Sequence, residues 1–249
     1  MEEMSHFGPK KVLIFFDGKL FVTETVILGA ILAVIIAVVL LWLAKDLHKQ
    51  PSSKQMVAEI IVEFIYNLTR NTMGPHNIAF APYIGTIFIF ILMGNMLGLL
   101  GLRPVTTDVN TTFALSLLTF ILIEYNSIKS MGLKGKFLHM CAPFPWYVGG
   151  LTMFPLKIIE ALSRPVSLGF RLFGNILGGF IVMELLFGAL AGLSHFVGLK
   201  FPAFVAVIPL PANFFFDMFE PVVQAYIFTM LTMVFISMEI IRHEAGEHH

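Results

Sequence analysis

Within the stretch SRPVSLGFRLFGN (163–175), Arg171 is preceded by six uncharged residues and followed by twelve. Its guanidinium keeps its proton at any physiological pH. A charge at the centre of a bilayer costs about 2.5–3.5 kcal/mol on insertion scales. A fixed cation in such a place can cement helices, bind an anionic substrate, or hold a neighbouring acid in its ionised form. It cannot relay protons itself. With 158–184 wound as a helix at about 100° per residue, Glu160, Arg164, Ser167, Asn175 and Gly178 all fall within about 40° of Arg171. The opposite face is apolar, and Gly174, Gly178 and Gly179 leave room for another backbone to approach closely. Near the other end of the chain, Asp217, Glu220 and Gln224 share a sector of about 60° by the same arithmetic. Glu160 and Arg164, four apart, suit an ion pair near a membrane edge. No acid lies three or four residues from Arg171, so its compensation must come from Gln224, Asn175, Asp217, water or an acid on another protein.

Further polar groups are scattered through apolar surroundings. Asp108 and Asn110 occupy the link RPVTTDVNTT (103–112), where forming a turn and lining an entrance are both open to them. Glu124 has no cation at i±3 or i±4, which favours a wet channel lining, with Asn126 beside it. Asn95, between Gly94 and Gly98, suits a bridge between helices. The single cysteine, Cys141, excludes an internal disulfide and has no metal-ligand spacing, so it reads as a small buried or interfacial side chain. No cofactor or metal is expected. The phosphate-loop pattern G-x-x-x-x-G-K-[ST] does not occur, so the chain lacks that nucleotide-binding signature.

The elements that must carry these residues are membrane helices. The chain is 57% hydrophobic and only 13% charged, with a mean hydropathy of +0.85. Its formal net charge is zero and it has no basic tract, which argues against nucleic-acid binding. Residues 25–44 are twenty uncharged positions, enough to cross a hydrocarbon core of about 30 Å. They are too long for a signal-peptide core, and Lys45, Asp46 and His48 follow instead of a small-residue cleavage site. The expected fold is all-α: a single polytopic domain over 1–249 with about five crossings and one interfacial helix. An external segment (1–22) leads into a first span (23–45). An amphipathic helix (51–74), apolar on one side, lies along the interface. Second and third spans follow at 77–102 and 112–128. Two longer apolar regions cover 147–192, with Arg171, and 201–242, with Gln224. At 1.5 Å per residue such regions far exceed one upright crossing of about 30 Å. Each is therefore either one steeply tilted helix or two segments bent at Pro155, Pro165, Pro209, Pro211 or Pro221, and tilt is expected. The links at 45–76 and 129–136 hold seven Lys/Arg against two in 103–112 and 193–200, which puts the N-terminus outside and the C-terminus in the cytoplasm. Three N-terminal lysines count against that orientation. No internal repeat of the kind found in secondary transporters is visible.

Here the motifs become specific. SRPVSLGFRLFGN followed by VQAYIF (223–228), together with TTDVNTTFAL (106–115) and IKSMGLKGK (128–136), resembles subunit a of F-type ATP synthases over nearly the whole chain. The resemblance implies a non-catalytic stator subunit of a bacterial plasma membrane complex. Its two tilted helices would curve around a ring of rotor c subunits, each bearing one mid-membrane carboxylate, with peripheral-stalk b subunits as further partners. Arg171 would be the stator arginine facing that ring, with Ser167, Asn175 and Gln224 as its polar companions. Asp108 and Asn110 would be the family's external-loop pair. Two aqueous half-channels would pass protons to and from the ring carboxylates and so couple proton flow to rotation and ATP synthesis. The sequence also departs from the pattern. Many relatives carry Glu or His nine places after the arginine, and this chain has Phe180; seven places before the glutamine it has Asp217. Glu184 lies about 40° from the direction of position 180, one turn on. Glu184, with Asp217 and Glu220, is therefore expected to take over the proton-accepting role at the external half-channel, unless Glu184 only reaches the outer headgroups. Phe180 also makes sodium coupling a live alternative to proton coupling.

Overall fold

The computed structural model describes residues 11–15, 20–45, 53–141, 150–196 and 208–246. Among them, five helices are long and apolar enough to cross a membrane: Glu24–Leu43, Pro75–Leu100, Val109–Lys129, Pro155–Ser194 and Pro209–Ile240. The expected all-α character therefore holds for every crossing element. Two short strands, β1 (Lys11–Phe15) and β2 (Leu20–Thr23), pair antiparallel ahead of the first helix, with Ile14 opposite Phe21. The sequence reading placed no element there.

The helices are α1 (Glu24–Leu43), α2 (Ser53–Met73), α3 (Ala81–Met96), α4 (Val109–Cys141), α5 (Gly150–Phe196), α6 (Pro209–Phe214) and α7 (Glu220–Gly246). Short 3-10 turns flank α3 at Pro75–Phe80 and Leu97–Leu100, and a third precedes α4 at Val105–Thr107. A π turn, Phe215–Phe219, joins α6 to α7. α5 is one 47-residue helix that runs through Pro155 and Pro165. At 1.5 Å per residue it is about 70 Å long, against a hydrocarbon core of about 30 Å. Pro209 and Pro211 occupy the start of α6, where a missing N–H costs nothing.

Two compact units share these helices: residues 1–47, 87–112 and 171–227 form one, and 48–86, 113–170 and 228–249 the other. In the first unit, α1 and α3 close on the 3-10 turn before α4. A Cβ on Gly29 of α1 would stand 3.1 Å from Val105 Cγ1, and one on Gly94 of α3 would stand 3.4 Å from Val105 Cβ. Val105 is fully buried as a result. Asp108 locks this corner. Its Oδ2 accepts hydroxyl bonds from Thr23 and Thr25, both 2.8 Å, and its Oδ1 accepts the Asn110 N–H at 2.9 Å. The carboxylate thus caps the first turn of α4 and ties it to the start of α1.

In the second unit, the C-terminal half of α2 packs inward through Ile65, Thr69 and Met73, one turn apart, while Val57, Ile60, Ile61 and Phe64 stay exposed. Ile65 lies against Gly85, whose added Cβ would meet it at 3.2 Å. Tyr83 and Thr119 join α3 to α4 by a 3.3 Å hydroxyl bond. α4 is broken at Gly132, with φ 71° and ψ 161°, a conformation essentially reserved for glycine. The break folds the chain back so that Lys136 pairs with Glu124. Along an unbroken helix twelve residues would put about 18 Å between them, beyond side-chain reach.

The Asp108 clamp yields a direct prediction. Asp108→Ala removes a helix cap and a charge-assisted acceptor, and should destabilise the protein by about 2–4 kcal/mol. Thermal unfolding in detergent measures this; an unchanged midpoint would show the clamp to be inert.

Candidate functional site

The exposed stripe of α5 carries Arg171. Ser167, Arg171 and Asn175 are exposed at successive turns. Added Cβ atoms on Gly174 and Gly178 would meet nothing within 4 Å, so this face is open. Among the described residues Arg171 has neither an ion pair nor a hydrogen bond. Arg164, two turns earlier, contrasts with it. Its guanidinium donates to Glu239 Oε1 at 2.8 Å and to Glu160 Oε1 at 3.1 Å, and it lies over the Phe235 ring. Ser127 donates to the other Glu239 oxygen at 3.2 Å. The expected Glu160–Arg164 pair is present, but the closer partner is Glu239, which the local spacing could not reveal.

The first unit also encloses a cavity of about 310 Å³ that holds two of the expected acids. Asp217 and Glu220 line it together with Asn95, Arg103, Thr107 and Asn213, and Phe180, Met183 and Phe187 of α5 form an apolar wall. Neither acid has a hydrogen-bond or ion-pair partner among the described residues. Two glycines let the acids in. Asp217 Oδ1 stands 3.2 Å from where a Gly98 Cβ would be, and a Gly179 Cβ would lie 2.8 Å from Phe216 Cδ1 and 3.2 Å from Glu220 Oε2. Asp217 sits inside the π turn, a feature often found at functional sites. The turn also shifts azimuths counted at a constant angle, so the sector computed for Asp217, Glu220 and Gln224 does not carry across it.

A shallower recess adjoins along α5. Asn175, Gly174 and Gly178 line it with Val223, Glu220 and the buried Gln224. Gly179, Phe216 and Glu220 belong to the walls of both spaces. Glu220 is therefore the carboxylate common to the Asp217 cavity and to the recess one turn from Arg171.

Other expected residues stand elsewhere. Glu184 is exposed on α5 and does not line the cavity, although Met183 and Phe187 do. Asp108 is the buried cap described above and accepts the backbone N–H of the exposed Asn110, while the neighbouring Thr107 reaches the cavity wall. Glu124 is paired with Lys136, a cation that helical spacing did not reveal. Asn126 turns its amide back to Leu122 O at 2.8 Å. Cys141 ends α4, and its side chain lies outside the described ones. Arg103 and Asn213 were missed; nothing in their local pattern distinguishes them from link and helix-start residues.

The family profile described as "ATP synthase A chain" matches residues 26–237. The chain belongs to this family. It is 32% identical over 235 residues to ATP synthase subunit a of Moorella thermoacetica, covering 94% of this chain and 97% of that one. It is 36% identical to subunit a of Desulforamulus reducens, over 80% of this chain and 72% of the other. At 31% identity over 86% of this chain and 73% of the relative, it is also similar to a Propionigenium modestum protein named as sodium ion specific. Family membership makes the chain a multi-pass, non-catalytic membrane subunit of the ATP synthase complex.

The close contact at Gly179 sets a second prediction. Gly179→Ala drives a methyl group into Phe216 and should cost about 1–3 kcal/mol. Gly174→Ala meets no neighbour within 4 Å among the described residues and should leave stability unchanged or raise it by up to about 1 kcal/mol. Comparing thermal midpoints of the two variants checks the contact; equal shifts would refute it.

Proposed function

We propose that the chain is the stator of an ion-driven rotary motor, in which Arg171 faces a passing ring of c-subunit carboxylates between two half-channels. The observation that carries this reading is that Arg171 lies exposed in the interior of a 40-residue apolar helix and has no ionic partner among the described residues. A cation at membrane depth needs an anion. The open glycine and serine face around it suits a closely approaching helix that brings one. At about 4 Å and an effective dielectric near 20, such a pair gains about 4 kcal/mol before desolvation is subtracted. That attraction favours the ionised form of the arriving acid, which releases its ion on one side and takes up another after the arginine has passed. Because the guanidinium keeps its proton, it also separates the two aqueous paths.

The cavity supports a route for the ion on one side. Ions reaching Asp217 pass to Glu220, the carboxylate shared by both spaces, and from there to the recess of Asn175 and Gln224. Glu184, one position beyond Met183 of the cavity wall, supplies ions from bulk water. The wider setting follows the basic-loop asymmetry: a bacterial plasma membrane, N-terminus outside and C-terminus in the cytoplasm, with b subunits of the peripheral stalk as neighbours. The amphipathic α2 lies along the interface. Protons are the proposed coupling ion. Sodium is the second reading, favoured by Phe180, where a titratable group is common, and by the similarity to a relative named as sodium specific.

Vesicles containing the whole complex test the role and the ion. Arg171→Ala should abolish ATP-driven ion pumping while ATP hydrolysis by the detached catalytic sector persists; intact pumping would make Arg171 a structural anchor. Glu184→Gln should slow ion-driven ATP synthesis about tenfold, the effect of about 1.4 kcal/mol on a barrier. Wild-type rates would remove Glu184 from the path. Synthesis driven by a proton gradient in sodium-free buffer is expected, and an absolute sodium requirement would replace the proton reading with the sodium one.

A further inference from the structure

Asn95 is 1% exposed, lies one turn before Gly98, and lines the cavity that holds Asp217. The Thr106 hydroxyl donates to its Oδ1, but its Nδ2 has no hydrogen-bond partner among the described residues. Leaving a buried donor unsatisfied costs about 1–3 kcal/mol. Thr106 Oγ1 can serve only one end of the amide, so turning the amide over would free Oδ1 instead of removing the problem. The Asp217 carboxylate approaches the same face of the chain, its Oδ1 seated against Gly98. Residues three apart lie on one face both in an α-helix and in the 3-10 turn that follows Asn95. The cavity, at about 310 Å³, has room for several waters of about 30 Å³ each, and a buried water needs two to four polar partners. Asn95, Asp217 and Asn213 are among the polar side chains that line the cavity.

We infer that Asn95 and Asp217 jointly hold an ordered water molecule in this cavity, making Asn95 a positioning residue that acts on ion access through that water. The water carries a hydrogen bond from the Asn95 amide to the Asp217 carboxylate, so the carboxylate meets arriving ions in one fixed geometry. Asn95 is then more than a bridge to Thr106. This inference rests on the role proposed above for Asp217.

Two measurements on the assembled complex test it. A map of the unmodified complex that resolves ordered water should show one within hydrogen-bond distance of both the Asn95 amide and the Asp217 carboxylate. An Asn95 amide satisfied by protein groups, or facing a dry cavity, would overturn the inference. In vesicles, Asn95→Leu, close in shape but without polar atoms, should lower ion-driven ATP synthesis about fivefold, the effect of one hydrogen bond of about 1 kcal/mol. Losing the Thr106 bond lowers assembly as well, so rates are compared per assembled complex, whose detergent-released ATP hydrolysis should match that of the unmodified one. A purely structural Asn95 would reduce assembly alone and leave the rate per assembled complex unchanged, and that result would refute the proposal. Asp217→Asn separates the two levels. If it runs at the unmodified rate, the role of Asp217 fails and the inference falls with it. If Asp217→Asn is slow while Asn95→Leu is normal, only the inference fails.

Discussion

A guanidinium set in a long apolar helix, with no ionic partner among the described residues, is the constraint around which this protein is organised. The energetic problem is avoided at Arg164, where Glu239 and Glu160 supply negative charge and Phe235 supplies a ring face. At Arg171, two turns along the same helix, neither is present among the described residues. The two arginines share one face of α5 yet meet opposite environments. One is satisfied within the chain and ties α5 to α7. The other is kept available, and small residues around it keep the approach open. A charge of this kind is costly at membrane depth, and family membership places the chain in a complex.

The acids across from that stripe depend on close backbone approach. Asp217 and Glu220 reach their positions because Gly98 and Gly179 present no side chain where their oxygens lie. A π turn delivers the first of them, widening the helix at the point where it must turn a polar group inward. Glu220 then borders two spaces at once. The same economy appears at Asp108, where one carboxylate satisfies two threonine hydroxyls and a backbone amide, fixing the starts of α1 and α4 together. These are arrangements of short polar contacts inside apolar surroundings, where each hydrogen bond is strong and each omission costly.

The apolar run lengths, the polar stripe on α5 and the motifs around Arg171 and Gln224 were legible in the sequence, because they are properties of neighbours along a helix. Run length is compared with a fixed bilayer thickness, and a stripe follows from a constant angle per residue. The partners of Glu124 and Asp108, and the closer partner of Arg164, were not legible. Lys136 reaches Glu124 only because Gly132 folds the helix back, Glu239 arrives from a helix 75 residues away in sequence, and Thr23 lies 85 residues from Asp108. The cavity likewise joins residues of three separate segments, within 95–107, 176–187 and 213–220. Local periodicity is written into the covalent chain, whereas a meeting between distant side chains depends on where backbones bend and how closely helices pack. The sequence determined which residues are polar and which way each helix shows them; the tertiary structure decided which of those groups are already satisfied and which still await a partner.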